Sequence, residues 1–212
     1  MLADIDTWVL DLDNTLYPAG TGLAAQMNTR IRAYLANLFG TDEAGARLLQ
    51  AQLVADHGTT LRGLMNTRSI DAHDYLEWEH TIDYSVLRPD PALAQVLGAL
   101  PGRRYVYTNG SAYHAKQVLG RLGLESCIDG VFDILAADLI PKPYAESLDA
   151  FLARFGVDPA RAAMFDDLEV NLTLPHERGM TTVWVSAGTP YEQLADRRWR
   201  AADVPQFLRA NI

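Results

Sequence analysis

The chain of 212 residues carries 18 basic and 27 acidic side chains, so its formal net charge is -9, and 49% of its residues are hydrophobic. This composition predicts a folded globular protein and argues against general electrostatic binding to a nucleic-acid polymer or an anionic membrane. The single cysteine, Cys127, excludes an intramolecular disulfide, and no apolar run approaches the roughly 18 residues expected of a bilayer span. We therefore expect a cytoplasmic protein; nothing in the sequence predicts its oligomeric state.

The first predicted element is a buried strand that ends at two aspartates. An apolar run over residues 8–12 predicts the strand, and Asp11 and Asp13 lie at its carboxyl end, the edge at which open α/β sheets bind ligands. Two neighbouring carboxylates are costly to bury unless a cation lies between them or one is protonated. The pair therefore indicates a metal, a proton carrier or both, with simple turn chemistry after a strand as the alternative interpretation.

The segment that follows has the pattern of helices. Apolar residues recur at helical spacing over residues 23–38 and 48–54, and Asp71 is placed to cap a further helix. No strand candidate of comparable strength occurs before Arg104. We therefore predict an all-helical cap domain over residues 17–87, inserted into a core domain that residues 1–16 and 88–212 form.

The second half of the chain alternates between strand and helix patterns. Four segments rich in β-forming residues predict strands, namely 104–108, 131–135, 162–166 and 181–185. Helical stretches end at Gly123, Gly156 and Gly179, which suit helix C-caps. This alternation predicts an α/β fold with a doubly wound, parallel, Rossmann-like sheet. We expect the tail from Tyr191 to Ile212 to pack on the core as a terminal segment.

Polar groups also follow the later strands. Thr108 is followed by Asn109 and Gly110 where a helix begins, and such a turn can hold a phosphate with hydroxyl, amide and backbone groups. Lys142 lies between two prolines, which fix the path of its backbone. The strand at 162–166 ends in a second acidic pair.

Charge counting predicts what such a site would bind. The two acidic pairs, if they converge, bring four negative charges against the single positive charge of Lys142, and this excess would repel a phosphate dianion. The four carboxylates are those of Asp11, Asp13, Asp166 and Asp167. A divalent cation and a proton on Asp13 bring the sum to zero, and a set of oxygen ligands favours Mg²⁺ over zinc. The residues therefore predict a magnesium enzyme acting on an oxyanion, with one carboxylate as nucleophile and its neighbour as proton donor.

Together these motifs resemble those of the haloacid dehalogenase-like hydrolases. Phosphatases of that superfamily carry an Asp-x-Asp-x-Thr motif, a Thr or Ser, a Lys and an acidic pair in this order, and all four are present here. Within the superfamily the chain is most similar to the pyrimidine 5′-nucleotidase group. The segments that carry this similarity are 11–17, 58–64, 83–84, 89–91 and 165–167, together with Asn171.

The resemblance implies a role for each motif. Asp11 would be the nucleophile that forms an aspartyl-phosphate, and Asp13 would protonate the leaving group and then act as base on the hydrolytic water. Lys142 would bridge the nucleophile and the phosphate. Phosphate oxygens would be held by the turn after the second predicted strand, that is by Thr108, Asn109 and Gly110.

The resemblance also implies the ligands of the magnesium ion. They would be the Asp11 carboxylate, the Asp13 backbone carbonyl and the acidic pair, with Asp167 preferred over Asp166. Many relatives have another acid shortly after this pair, whereas this chain has Asn171, so the outer contacts of the metal stay open.

A helical cap after the nucleophile loop would exclude water and contact the leaving group, so we expect substrate choice to reside in residues 17–87. The resemblance points to Thr59, Thr60 and Arg62 as contacts to a base or a sugar. A turn, a helix cap and a solvated arginine are the alternative interpretation of these residues. The five histidines lack the paired spacing of a zinc site, and we expect surface or hydrogen-bonded roles for His57, His73, His80, His114 and His176.

The expected substrate is thus a small phosphorylated metabolite, best matched by a nucleoside 5′-monophosphate with a pyrimidine base. Dehalogenation of a 2-haloacid, phosphoryl transfer within a sugar phosphate, and a non-catalytic metal-binding or phosphate-accepting regulator are the alternatives. Asp13 argues against dehalogenation, because a halide departs without a proton.

Overall fold

The computed structural model describes residues 4–211, so residues 1–3 and 212 of the predicted core domain lie outside it. The described range contains seven strands: β1 Thr7–Leu10, β2 Arg103–Tyr107, β3 Gly130–Phe132, β4 Ala162–Asp166, β5 Thr181–Val185, β6 Glu192–Ala195 and β7 Arg198–Ala201. It also contains nine α-helices: α1 Leu23–Phe39, α2 Glu43–His57, α3 Thr60–Thr67, α4 Ala72–Glu79, α5 Pro91–Gly98, α6 Ala112–Leu122, α7 Ala145–Phe155, α8 Glu169–Glu177 and α9 Val204–Asn211. Within this range, no helix combines the length and apolar character needed to cross a membrane.

The strands form one sheet in the order β3-β2-β1-β4-β5-β7-β6. All neighbouring pairs are parallel except β6 and β7. The chain moves from β1 to one side of the sheet through β2 and β3, and then returns to the other side at β4. The predicted α/β class with a parallel, doubly wound sheet is confirmed, and the carboxyl ends of β1 and β4 lie at its topological switch point.

Strand β1 is buried on both faces. Trp8 and Leu10 belong to one hydrophobic cluster and Val9 to another, as expected when successive side chains of a strand point to opposite faces. All four residues of β1 are buried. The segment that leads to Asp11 is therefore held by hydrogen bonds on both edges and by packing on both faces.

Helices α1 to α4 lie between β1 and α5, and they share a third hydrophobic cluster. Leu35, Leu64 and Tyr75 are fully buried in it, and Ile134 from the turn after β3 joins them. Helix α4 begins as the sequence predicts, because the Asp71 carboxylate accepts hydrogen bonds from the backbone N–H groups of the first turn.

Two segments differ from the sequence-based prediction. Strand β3 ends at Phe132 and not at Leu135, because the Asp133 carboxylate accepts hydrogen bonds from the N–H groups of Ala112 and Ala136 and turns the chain. The tail does not merely pack on the core: β7 and β6 extend the sheet, and α9 covers it. All four residues of β6 are exposed, so this strand lacks the apolar alternation that would have revealed it.

Candidate active site

Asp11 lies at the carboxyl end of β1, beside the end of β4. Its backbone N–H donates a hydrogen bond of 2.9 Å to the carbonyl of Phe165, which continues the parallel pairing by one residue. This register places Asp11 next to Asp166, the last residue of β4. Thr15 donates its hydroxyl proton to Oδ2 of Asp11 over 3.0 Å. Both carboxylates are almost completely buried.

Lys142 joins these two carboxylates. Its Nζ atom lies 2.7 Å from Oδ1 of Asp11 and 2.6 Å from Oδ2 of Asp166. The Asn109 side chain holds the lysine backbone from both sides, because its Oδ1 accepts from the Lys142 N–H at 2.7 Å and its Nδ2 donates to the Lys142 carbonyl at 3.3 Å. The turn after β2 therefore fixes the position of the lysine.

The two members of the second acidic pair have different surroundings. The Oδ1 atom of Asp166 accepts from the Leu168 N–H and the Asn171 side chain, each at 2.9 Å, while its other oxygen faces the lysine ammonium. Asp167 is partly exposed and accepts one side-chain hydrogen bond, from Nδ2 of Asn14 at 3.3 Å. Asp167 thus has the freer carboxylate of the two.

Three carboxylates of the site are arranged so that they could hold a metal ion. One oxygen each from Asp11, Asp166 and Asp167 lies within 4.8 Å of the others. Oδ1 of the neighbouring Asn14 is buried without a hydrogen-bond partner among residues 4–211, so the site has a further unused oxygen. An acidic set of oxygen ligands fits Mg²⁺. The side chain of Asp13 is not part of this group.

Burial and mutual repulsion raise the pKa values of two carboxylates in the acidic group. Burial raises the pKa of Asp11 to about 8; Lys142 lowers it and the Asp166 charge raises it. Burial, followed by the charge of Asp166, raises the pKa of Asp167 to about 6. A divalent cation at these oxygens would favour the ionised forms of both groups.

Asp13 faces a different set of partners. Its Oδ1 lies 2.8 Å from Nε2 of His114 and also accepts a hydrogen bond from the Tyr17 hydroxyl. Burial acts to raise the pKa of Asp13. The His114 ring and the hydrogen bonds from His114 and Tyr17 act to lower it, and their combined effect is larger, so the pKa lies below its ordinary value. Burial and the Asp13 charge raise the pKa of Tyr17, which therefore keeps its proton and donates it.

Sequence reasoning did not identify His114 and Tyr17 as partners of Asp13. His114 was expected to be a surface or hydrogen-bonded residue, and the structure shows it hydrogen-bonded and completely buried on α6. One signal was available, because His114 shares its helix face with Val118 and Leu122, four and eight residues later, and both are core residues. A histidine on an apolar stripe needs a polar partner, but the sequence does not tell which one.

The predicted phosphate-binding residues lie at the same edge of the sheet. Thr108 is buried directly after β2, and its hydroxyl accepts a hydrogen bond of 3.0 Å from the Gly110 N–H. The Asn109 side chain is occupied by the backbone of Lys142, so only its main chain is available to a ligand.

The three candidate cap contacts occupy different positions. Thr59 caps α3, since its hydroxyl accepts from the Arg62 N–H at 3.2 Å. Thr60 is buried. The Arg62 guanidinium lies over the ring of Tyr144, 4.4 Å from the ring centroid. Tyr144 follows Lys142 by two residues in the sequence. Of the three side chains, that of Arg62 is therefore the one that reaches a core loop of the site.

A cavity of about 610 Å³ opens beside Asp167. Asn14 and Tyr17 also belong to its lining. This volume lies within the range of small-molecule sites, and of the three acidic residues it is Asp167 that a ligand in the cavity would reach.

The chain belongs to the haloacid dehalogenase-like hydrolase family, whose model matches residues 5–173. It is also similar to Phosphate metabolism protein 8 of Saccharomyces cerevisiae, with 26% identity over 188 residues. That match covers 80% of this chain and only 58% of the yeast protein, so the chain spans little more than half of its relative.

Solved structures of related hydrolases share the fold. A HAD phosphatase from Thermococcus onnurineus matches with a TM-score of 0.64 and 16% identity, over 97% of each chain. YfnB of Bacillus subtilis, solved bound to magnesium, matches with a TM-score of 0.65 and 13% identity over 98% of this chain and 99% of its own. The L-2-haloacid dehalogenase of Xanthobacter autotrophicus matches with a TM-score of 0.55 and 19% identity, over 87% of this chain and 79% of its own. At these identities the likeness concerns the fold alone.

Proposed function

We propose that this hydrolase is a magnesium-dependent phosphatase that cleaves small phosphomonoesters through an aspartyl-phosphate on Asp11. The observation that carries the proposal is the pairing of two carboxylates with different surroundings. Asp11 belongs to the acidic group beside Lys142, whereas Asp13, two residues later, is held by His114 and Tyr17. These different surroundings support attack by Asp11 and proton transfer by Asp13.

The proposed first step uses three side chains. Because the pKa of Asp13 lies below its ordinary value, this carboxylate must take up a proton from solvent before the step. Asp11 then attacks phosphorus, the bond from phosphorus to the leaving oxygen breaks, and Asp13 gives that proton to the leaving oxygen. Lys142 keeps Asp11 oriented and offsets negative charge on the phosphoryl group. In the second step Asp13 removes a proton from water, which attacks the aspartyl-phosphate and releases inorganic phosphate. Thr108 and the main chain of Asn109 and Gly110 would hold phosphate oxygens.

The proposed metal ligands are Asp11 and Asp167, with the Asp13 backbone carbonyl and with Asp166 as second choice within the acidic pair. The freer carboxylate of Asp167 supports this order, because both oxygens of Asp166 already have partners. When bound, Mg²⁺ would neutralise the acidic group and draw the negatively charged substrate to the nucleophile. Asn171 then acts on the site through Asp166.

The proposed substrate class is the nucleoside 5′-monophosphates, with preference for a pyrimidine base. The support is the resemblance of segment 58–64 to the pyrimidine 5′-nucleotidase group and the position of Arg62 on the ring of Tyr144 near Lys142. The name of the yeast relative, Phosphate metabolism protein 8, agrees with a phosphate ester as substrate. We further propose that residues 17–87 form the cap that contacts the leaving group, and that the protein acts in the cytoplasm.

Release of phosphate, or of halide where the compound contains one, from a panel of compounds tests this proposal. The panel contains UMP, CMP, dTMP, AMP, GMP, several sugar phosphates and a 2-haloacid, each with Mg²⁺, with Asp11→Asn in parallel. Pyrimidine-selective release that depends on Asp11 is the expected result. Release from sugar phosphates alone would overturn the substrate class, a rearranged product that keeps its phosphate would indicate a mutase, and halide release would overturn the phosphatase assignment. No turnover of any compound would favour a regulator.

A further inference from the structure

The carboxylate of Asp13 is held by one of its two oxygens. Both His114 and Tyr17 contact Oδ1, while Oδ2 makes no hydrogen bond within residues 4–211. The Asp13 side chain keeps 24% of its surface exposed, although its histidine partner has none. The two contacts thus fix the direction of the carboxylate and leave one oxygen available to a ligand.

The ring of His114 is itself held in place through its other nitrogen. The Tyr84 hydroxyl lies 2.9 Å from Nδ1 of His114 and 3.1 Å from the carbonyl oxygen of His80. A carbonyl only accepts, so the arrangement that satisfies both contacts has Tyr84 donating to the carbonyl and accepting from Nδ1–H. Nε2 of His114 then faces Oδ1 of Asp13, which also accepts from the Tyr17 hydroxyl. The proton that Asp13 gives to the leaving group would be carried on the other oxygen, Oδ2.

Packing fixes the ring as well. The His80 ring stacks on that of His114 with 4.4 Å between centroids and 18° between planes. His80 is held in turn by the Ser111 hydroxyl at 3.0 Å from its Nδ1. Gly110 lies against the His114 ring, and a side chain there would crowd the ring, since a Cβ at position 110 would lie only 3.1 Å from Cδ2 of His114. Residues from three segments of the chain, 13–17, 80–84 and 110–111, therefore surround one imidazole.

We propose that His114, together with Tyr17, is a positioning residue that directs the free oxygen of Asp13 toward the leaving group. This inference rests on the proposed phosphatase function and names a residue on which that function depends. The contribution of His114 is made when the phosphorus–oxygen bond breaks and the Asp13 proton passes to the leaving oxygen. A misdirected acid slows this step most for substrates whose leaving group needs a proton.

Two substrates with different leaving groups separate positioning from a general structural role. An alkyl phosphate, namely the nucleotide that the wild type cleaves best, releases an alkoxide that needs the proton. p-Nitrophenyl phosphate releases a stable phenolate that does not. The quantity to compare is kcat/KM, because it reports the steps up to loss of the leaving group. The variants are His114→Ala, His114→Gln and Tyr17→Phe, with the exposed His73→Ala as matched control.

We expect His114→Ala to lower kcat/KM by about 100-fold for the nucleotide and by less than about 10-fold for p-nitrophenyl phosphate. His114→Gln, whose amide can still donate to Asp13, should retain most of the nucleotide activity, and His73→Ala should match the wild type. Tyr17→Phe should show the same substrate-dependent pattern as His114→Ala, and it keeps the test decisive if the alanine variant does not fold. Equal losses on both substrates in a folded variant would overturn the inference.

The proposed function and this inference fail in different ways. A wild-type protein that cleaves neither phosphate ester would defeat the proposed function. A wild-type protein that cleaves both, with losses in the His114 and Tyr17 variants that do not depend on the leaving group, would defeat only the positioning role.

Discussion

Lys142 and Asp166 form an ion pair in which Nζ lies 2.6 Å from Oδ2, and both side chains are almost completely shielded from solvent. The same ammonium group also contacts Asp11. One cation therefore serves two buried carboxylates, and the stability of the site depends on it.

Replacing Lys142 by Met should destabilise the fold strongly. The change leaves two carboxylates buried without their cation, and breaking a buried pair in this way costs on the order of 3–5 kcal/mol. Urea unfolding followed by circular dichroism measures the loss. The other lysine, Lys116, is exposed on α6, so Lys116→Met is a matched control that should change the unfolding free energy by less than about 0.5 kcal/mol. Similar losses of unfolding free energy in both variants would contradict the role of Lys142 as the cation of two buried carboxylates.

Asp11→Asn should abolish turnover and leave the protein folded. The amide keeps the shape of the side chain but cannot act as the nucleophile, so we expect kcat to fall by at least about 1,000-fold. Phosphate release at saturating substrate measures the effect, and Asp74→Asn on the exposed surface of α4 is the control. Appreciable residual activity in the Asp11 variant would remove this residue from the nucleophile role.

Removal of magnesium should stop the reaction, and Asp167→Asn should raise the Mg²⁺ concentration needed for half-maximal activity by at least about 10-fold. Asp167 has the freer oxygen of the acidic pair, whereas the oxygens of Asp166 already contact Lys142 and Asn171. Asp166→Asn should therefore lower the unfolding free energy more than Asp167→Asn does. Mg²⁺ titrations of activity and of the unfolding temperature test both statements. Full activity in metal-free buffer would contradict the metal site itself.

Glu79→Gln should stabilise the protein at alkaline pH. Burial raises the pKa of Glu79 to about 7 from its ordinary 4.5, with His114 opposing this shift and Asp13 adding to it. The folded state thus holds this proton more tightly than the unfolded state does. The free-energy cost of ionising Glu79 in the folded protein is absent below about pH 4.5, grows between pH 4.5 and 7, and is complete above pH 7. The variant should gain about 1–3 kcal/mol at pH 8 and little at pH 4.

Urea unfolding at the two pH values measures this difference. Glu77→Gln, on an exposed position of the same helix, is the control and should behave as the wild type at both. A pH-independent gain in the Glu79 variant would show that the pKa of Glu79 is not raised in the folded state.

Local patterns predicted the strands of the core because those strands are buried. The runs that became β1, β2, β4 and β5 are rich in apolar, aromatic or β-branched residues, and those of β1, β2 and β4 end at or next to a polar residue of the site. Strand β6 was missed because its side chains face solvent. The partner of Asp13 was missed for a different reason: His114 is 101 residues away, and only the packing of α6 brings its ring to that carboxylate.

Strand β1 has two strands on one side of it and four on the other, and its residues are buried. Amide protons in such a central strand exchange with solvent only in the largest opening events, whereas exposed edges such as β6 open first. Asp11 follows directly on the segment that opens last. Local unfolding of the outer strands therefore leaves Asp11 in place, and we expect the acidic group to lose its arrangement only when the whole sheet unfolds.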